Sequence, residues 1–188
     1  MQLFPLIELF YWLALATWFG GVAFVAMSVP VIFRTVREND PTLPTVLSVN
    51  LEGEHSSLLA VSIITNLLSM LTRVELGCAA LVLLTLIGQW VLIRDLQLGL
   101  LILRSCLFVG AAAIAFYDWR FVTPRIIKHR NEYIEHADEP EVAEASKQQF
   151  NRYHRESITI LLILMAILSA LVLFSTMIST ARNFVMQP

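Results

Sequence analysis

The sequence predicts an all-α integral membrane protein built as a four-helix bundle, and three observations carry that prediction. Four apolar runs, at about residues 6–33, 74–93, 96–118 and 157–180, are dominated by Leu, Ile, Val, Ala and Phe. Crossing about 30 Å of hydrocarbon takes about 20 such residues as a helix. Backbone groups in lipid must be satisfied within the segment, so runs of this kind are helices rather than open strands. The composition agrees, with 57% apolar and 15% charged residues, where soluble domains carry about 25% charged. The basic residues are also lopsided. Ten Lys and Arg lie between the first and second runs or between the third and fourth, and only Arg94 and Arg182 lie on the other side. By the positive-inside rule the larger loops are expected in the cytoplasm and both termini outside, the periplasm if this is a bacterial inner membrane. A chain of 188 residues reads as a single domain, 1–188.

The first run has no Lys or Arg before it, is longer than a signal core of about 7–15 residues and lacks a small-x-small cleavage site, so it is expected to be a retained helix. The second has an uncertain start. Residues 58–71 are mostly apolar, and Arg73 and Glu75 then interrupt the pattern. Either one long helix runs from about Ser56 to Ile93, or an extra interfacial helix ends near Arg73 before the true crossing. The interrupted or bent version is the expectation, because the straight one would reach roughly 55 Å.

In the third run, Pro124 is expected to kink or end the helix, since it lacks a donor and restricts Thr123. Asp138 and Pro140 mark the next helix start, with Asp138 as cap. Val142, Ala145, Phe150 and Tyr153 then recur at helical spacing into the fourth crossing. The third and fourth helices are thus expected to extend beyond the membrane as a cytoplasmic helical hairpin.

Arg104 is the sharpest single residue. It lies roughly 12 Å below the outer surface, where a charge costs several kcal/mol unless it is paired or reaches water. Gln89 falls about 6 Å below the same surface on the antiparallel second helix, within reach of an arginine leaning outward, and Glu8 approaches from the first. Arg104, Glu8 and Gln89 are therefore read as a polar intramembrane group, serving either as a structural lock or as a ligand contact. Ala16 with Gly20, Thr17 with Gly21, Ala166 with Ala170, and the run opening at Gly110 are small-residue surfaces expected to serve helix packing. His154 and Arg155 stand just before the fourth crossing, as an interfacial anchor or a pH sensor. His129 with Glu132, and His136 with Asp138, are the nearest approach to chelating pairs, and the loop histidines are expected to be solvated. No His-Glu-x-x-His or Cys-x-x-Cys spacing is present, so no metal site is expected. Cys78 and Cys106 differ in depth by roughly 8 Å, too far for a disulfide, and both read as buried thiols.

Trp18-Phe19-Gly20-Gly21, Pro30 and Phe33, then Thr123-Pro124-Arg125 and His154-Arg155-x-Ser157, resemble the uncharacterised four-helix membrane proteins of the transmembrane-protein-205-like family. That family is distantly similar to the copper resistance protein D and haem-binding protoporphyrinogen oxidase families. The resemblance implies the helix order over most of the chain. The haem-binding relatives carry a histidine about two turns before their Trp-Phe-x-Gly string. Tyr11 stands at that position here, and tyrosine is a far less common axial ligand, so no cofactor is predicted.

Three functions follow, in order. The first is a non-catalytic subunit of a larger respiratory, photosynthetic or transport assembly in the membrane, with no catalytic residues. The second is a small-solute or metal-stress transporter using the Arg104 group, and the third, by resemblance alone, a tetrapyrrole- or metal-binding enzyme. The expected partners are the lipid bilayer and other membrane subunits or further copies of the chain, with no nucleic acid.

Overall fold

A computed structural model describes residues 3–39, 55–92, 98–136 and 139–185. These residues form helices α1 (Leu3–Asn39), α2 (His55–Leu92), α3 (Leu98–Tyr117), a π-helical turn (Asp118–Val122), α4 (Thr123–Glu135) and α5 (Pro140–Val185). Four helical stretches are long and apolar enough to cross a membrane, the third running from α3 through the π turn into α4. No strand occurs among the described residues. The fold is an all-α four-helix bundle.

α2 corrects one expectation. Its 38 residues form a single uninterrupted helix, with no separate interfacial piece at 58–72. Arg73 and Glu75 break the hydropathy pattern but not the backbone ladder, because Arg73 points outward while Glu75 is buried. Thr65, Thr72 and Thr85 return their hydroxyl protons to the carbonyls of Val61, Leu68 and Leu81, which satisfies them inside an apolar setting. At about 57 Å the helix is nearly twice the hydrocarbon thickness.

Pro124 does not end the helical stretch, which continues from Leu98 to Glu135. The chain accommodates it one turn earlier, where the N–H of Thr123 reaches the carbonyl of Asp118 five residues back, and Pro124 then occupies the first turn of α4. The wider turn absorbs the donor that proline lacks. α5 begins at Pro140 as expected, with Ala143 N–H bonding the Glu139 carbonyl at 2.9 Å. Asp138 lies outside the described residues, as does the turn around Arg94. The inward face of α5 differs from the expected one. Ala143, Ser146, Phe150 and Ser157 are buried, while Val142 and Ala145 are exposed, because a stripe of near-3.5 spacing through Ser146 joins Phe150 in phase and one through Ala145 does not.

The helices divide into two compact units. One contains 1–23, 73–116 and 162–188. Its core is a column of fully buried side chains: Tyr11, Leu15, Trp18 and Val22 of α1, Val82 of α2, and Leu168 and Leu171 of α5. Gly88 of α2 is the tight approach in this unit, since a Cβ there would stand 3.2 Å from Cδ1 of Ile7. Gly88→Val is therefore expected to cost about 1–3 kcal/mol through overpacking, read as a lowered unfolding midpoint in detergent. Adding Ile7→Ala should recover much of the loss. If Gly88→Val is neutral, the approach is not tight.

The other unit contains 24–72 and 117–161. Val122, Ile126 and Phe150 form its core, with Val61, Tyr153 and Ile160 packed against them. α4 and the start of α5 make the expected helical hairpin within it. His129 stacks on Tyr153 with rings 3° from parallel, and Lys147 lies over Tyr133.

Candidate functional site

In the first unit, four helices place polar side chains around a common centre. Arg104 sits on the buried stripe of α3, with Leu101, Phe108, Ala111 and Ala115, so the helix period turns it inward rather than toward lipid. Only 4% of it is exposed. Its Nη2 donates to Oε1 of Gln89, itself buried on α2 four residues beyond Thr85. The guanidinium lies over the ring of Tyr11, 4.8 Å from the centroid, a cation–π contact that gains strength where water is excluded. Glu8, one turn earlier on α1, is close enough to act on Arg104 electrostatically.

Tyr11 extends the network to α5. Its hydroxyl is 2.6 Å from Oγ of Ser175, and Ser175 Oγ also donates to the Leu171 carbonyl at 2.6 Å. A serine has one proton, so with that proton on the carbonyl the tyrosine is the donor to Ser175. Trp90 adds a second link between α2 and α3, its indole N–H donating to Oγ of Ser105 at 3.1 Å. Two buried donors of this unit have no acceptor among the described residues: Nε of Arg104 and Nε1 of Trp18.

The three residues singled out from sequence, Arg104, Glu8 and Gln89, do come together. Tyr11 and Ser175 were missed as members. Tyr11 follows Glu8 by three residues and shares its helix face, which is a usable signal. Ser175 carries none beyond being a hydroxyl in an apolar run.

The small residues lie mostly at the surface of the described helices. Ala16, Thr17, Gly20 and Ala166 are exposed, and Gly21, Gly110 and Ala170 are half-buried. A Cβ on Gly20 or Gly110 would meet nothing within 4 Å, so these positions do not bring helices of this chain together; close packing falls to Gly88. The helix period sets this, because the inward stripe of α1 runs through Tyr11, Trp18 and Val22 and leaves the small residues facing out.

In the second unit, Asp118 opens the π turn. Thr123 Oγ1 donates to its Oδ2 at 3.1 Å, while Oδ1 is buried without a hydrogen bond among the described residues. The adjacent Tyr117 hydroxyl donates to Oε1 of Glu156 at 2.9 Å. His154 is half-buried with its ring stacked on Phe150, and Arg155 is exposed. His129 is not solvated as expected: it packs on Tyr153 and bonds Glu132 at 2.9 Å. His136 meets Glu139 at 3.5 Å. Asp138, its expected partner, is outside the described residues.

Among the described residues no three His, Cys, Asp or Glu gather as a metal set. Haem does not fit the Tyr11 position, because the hydroxyl is committed to Ser175 and the ring is covered by Arg104. Both cysteines are free thiols, Cys78 buried as expected but Cys106 exposed, since it falls off the inward stripe of α3.

Four apolar helices of spanning length around a buried arginine define an integral membrane helical protein. Compared with known proteins, the chain matches no family model, no curated protein and no solved structure.

Proposed function

We propose that this chain is a non-catalytic subunit of a larger membrane assembly, with the Arg104 centre as the lock that fixes its helices. The observation that carries the reading is that the buried polar groups engage one another: Arg104 with Gln89 and Tyr11, and Tyr11 with Ser175. Contacts of this kind between helices hold them in register. The outward small residues Ala16, Thr17 and Gly20 give a thin surface of the sort that lets a neighbouring helix approach closely. The ten-to-two division of Lys and Arg supports larger loops in the cytoplasm and termini in the periplasm of a bacterial inner membrane.

A second reading has one observation in its favour. Nε of Arg104 and Nε1 of Trp18 are buried donors without acceptors among the described residues, and a buried unsatisfied donor costs about 1–3 kcal/mol. A small acceptor-bearing solute held among these helices would relieve that cost, which is the transporter or resistance function.

Native mass spectrometry on protein extracted from its own membranes in mild detergent separates the two. The subunit reading expects a stoichiometric complex with other chains. A bare monomer or homodimer carrying a small bound mass overturns it in favour of the solute reading.

A further inference from the structure

The segment Tyr117–Lys128 presents basic and aromatic side chains together on the outside of the second unit. Trp119 and Phe121 are each 43% exposed, although they are large and apolar. Arg120, Arg125 and Lys128 are exposed on the same stretch. Arg125 and Lys128 share a face of α4 by their spacing of three residues, and the Arg120 guanidinium lies over Phe121 on the preceding π turn.

The two arginines are held in a way the lysine is not. The Arg120 guanidinium carbon lies 5.7 Å from the Phe121 ring centroid, and that of Arg125 lies 5.4 Å from the ring of Tyr153 on α5. Tyr153 is itself fixed by His129 stacked at 5.6 Å. Stacking restrains the guanidinium planes without using their donors. Lys128 is paired with Glu132 at 3.6 Å, whereas neither arginine has a carboxylate partner among the described residues. Glu156, on α5 close to this segment, is bound by the Tyr117 hydroxyl.

We infer that Arg120 and Arg125 form a site for the phosphodiester headgroup of an anionic phospholipid. Two forked cations with free donors suit phosphate oxygens, which accept in pairs. The exposed Trp119 and Phe121 say that the ligand is lipid and not free phosphate. They offer apolar surface beside the cations, and aromatic rings of this kind settle at the level where headgroups meet acyl chains. The inference is independent of the assembly reading, because it concerns residues outside the Arg104 centre.

The test compares the full-length protein in neutral detergent with added phosphatidylglycerol or phosphatidylcholine of the same acyl chains. Retained lipid is counted by native mass spectrometry and the unfolding midpoint is recorded beside it. Wild type is expected to retain phosphatidylglycerol preferentially and to be stabilised by it. With each basic side chain near a charged lipid surface contributing about a factor of five, Arg120→Gln/Arg125→Gln should weaken that retention roughly tenfold to thirtyfold. Its midpoint in phosphatidylcholine should match wild type, since both side chains are exposed. Wild type in about 1 M NaCl, where screening shortens to about 3 Å, should lose the preference without any substitution. Equal retention of the two lipids by wild type overturns the site. So does full retention by the double variant, and so does inorganic phosphate displacing the lipid at millimolar concentration.

Discussion

Replacing Arg104 by leucine is expected to destabilise the protein by about 3 kcal/mol, and replacing Arg104 and Gln89 together by leucine is expected to return most of it. The single change leaves the buried Gln89 amide without its donor and removes the cation from the face of Tyr11. An orphaned buried polar group costs about 1–3 kcal/mol, and a hydrogen bond from a charged donor contributes about 1.5–3 kcal/mol. Gln89→Leu alone should be at least as costly, because it takes the acceptor from a buried guanidinium. The double variant substitutes apolar volume for both partners, a change that is often neutral or stabilising. Unfolding midpoints of the four proteins in mixed detergent–lipid micelles close the cycle, and a coupling near zero would remove the lock from Arg104. Unchanged stability in Arg104→Leu, with altered tolerance to a solute, would instead favour the second reading of function.

Trp18 is the other position where a large effect is expected, and two substitutions there should diverge. Trp18 is 1% exposed, so Trp18→Ala should cost about 3–5 kcal/mol through lost burial and the cavity left behind. Trp18→Phe keeps most of the ring and discards the indole N–H, which has no acceptor among the described residues. If that N–H stands unsatisfied in the membrane-bound protein, relief of about 1–3 kcal/mol should offset the lost volume and leave Trp18→Phe near wild type. A steep loss in Trp18→Phe would mean that the N–H is engaged by something carried with the purified protein. The measurement therefore also bears on whether a ligand sits in this unit.

Much of the fold was legible because hydrophobic length and the needs of the backbone in lipid act on every residue of a span. The four crossings and the extended hairpin of α4 and α5 follow from them. The errors came where a side chain breaks the hydropathy pattern without touching the backbone. Arg73 and Glu75 looked like a boundary in α2, yet one points out and one is buried, and the helix runs on. Pro124 does act on the backbone, but a one-turn widening at Asp118–Val122 absorbs it. The polar centre was legible through depth and reach, which put Gln89 within range of an outward-leaning Arg104. Ser175 was not, because its partnership with Tyr11 spans 164 positions of sequence and no local pattern records it. For the small residues, spacing identifies a thin helix face but not whether that face looks toward this chain or away from it.

The paired contacts of Ser175 carry a consequence for how this chain can drift over generations. Its one proton is committed to the Leu171 carbonyl, so what it offers Tyr11 is a lone pair. Position 175 is thus constrained by the phenol of position 11 and not by its own helix, and the two should change in concert. In an alignment of descendants, a tyrosine at 11 should be accompanied by an acceptor at 175, and a phenylalanine at 11 should release 175 to alanine or glycine. Lineages holding tyrosine opposite an apolar 175 should be scarce, and their abundance would show that the hydroxyl finds another acceptor.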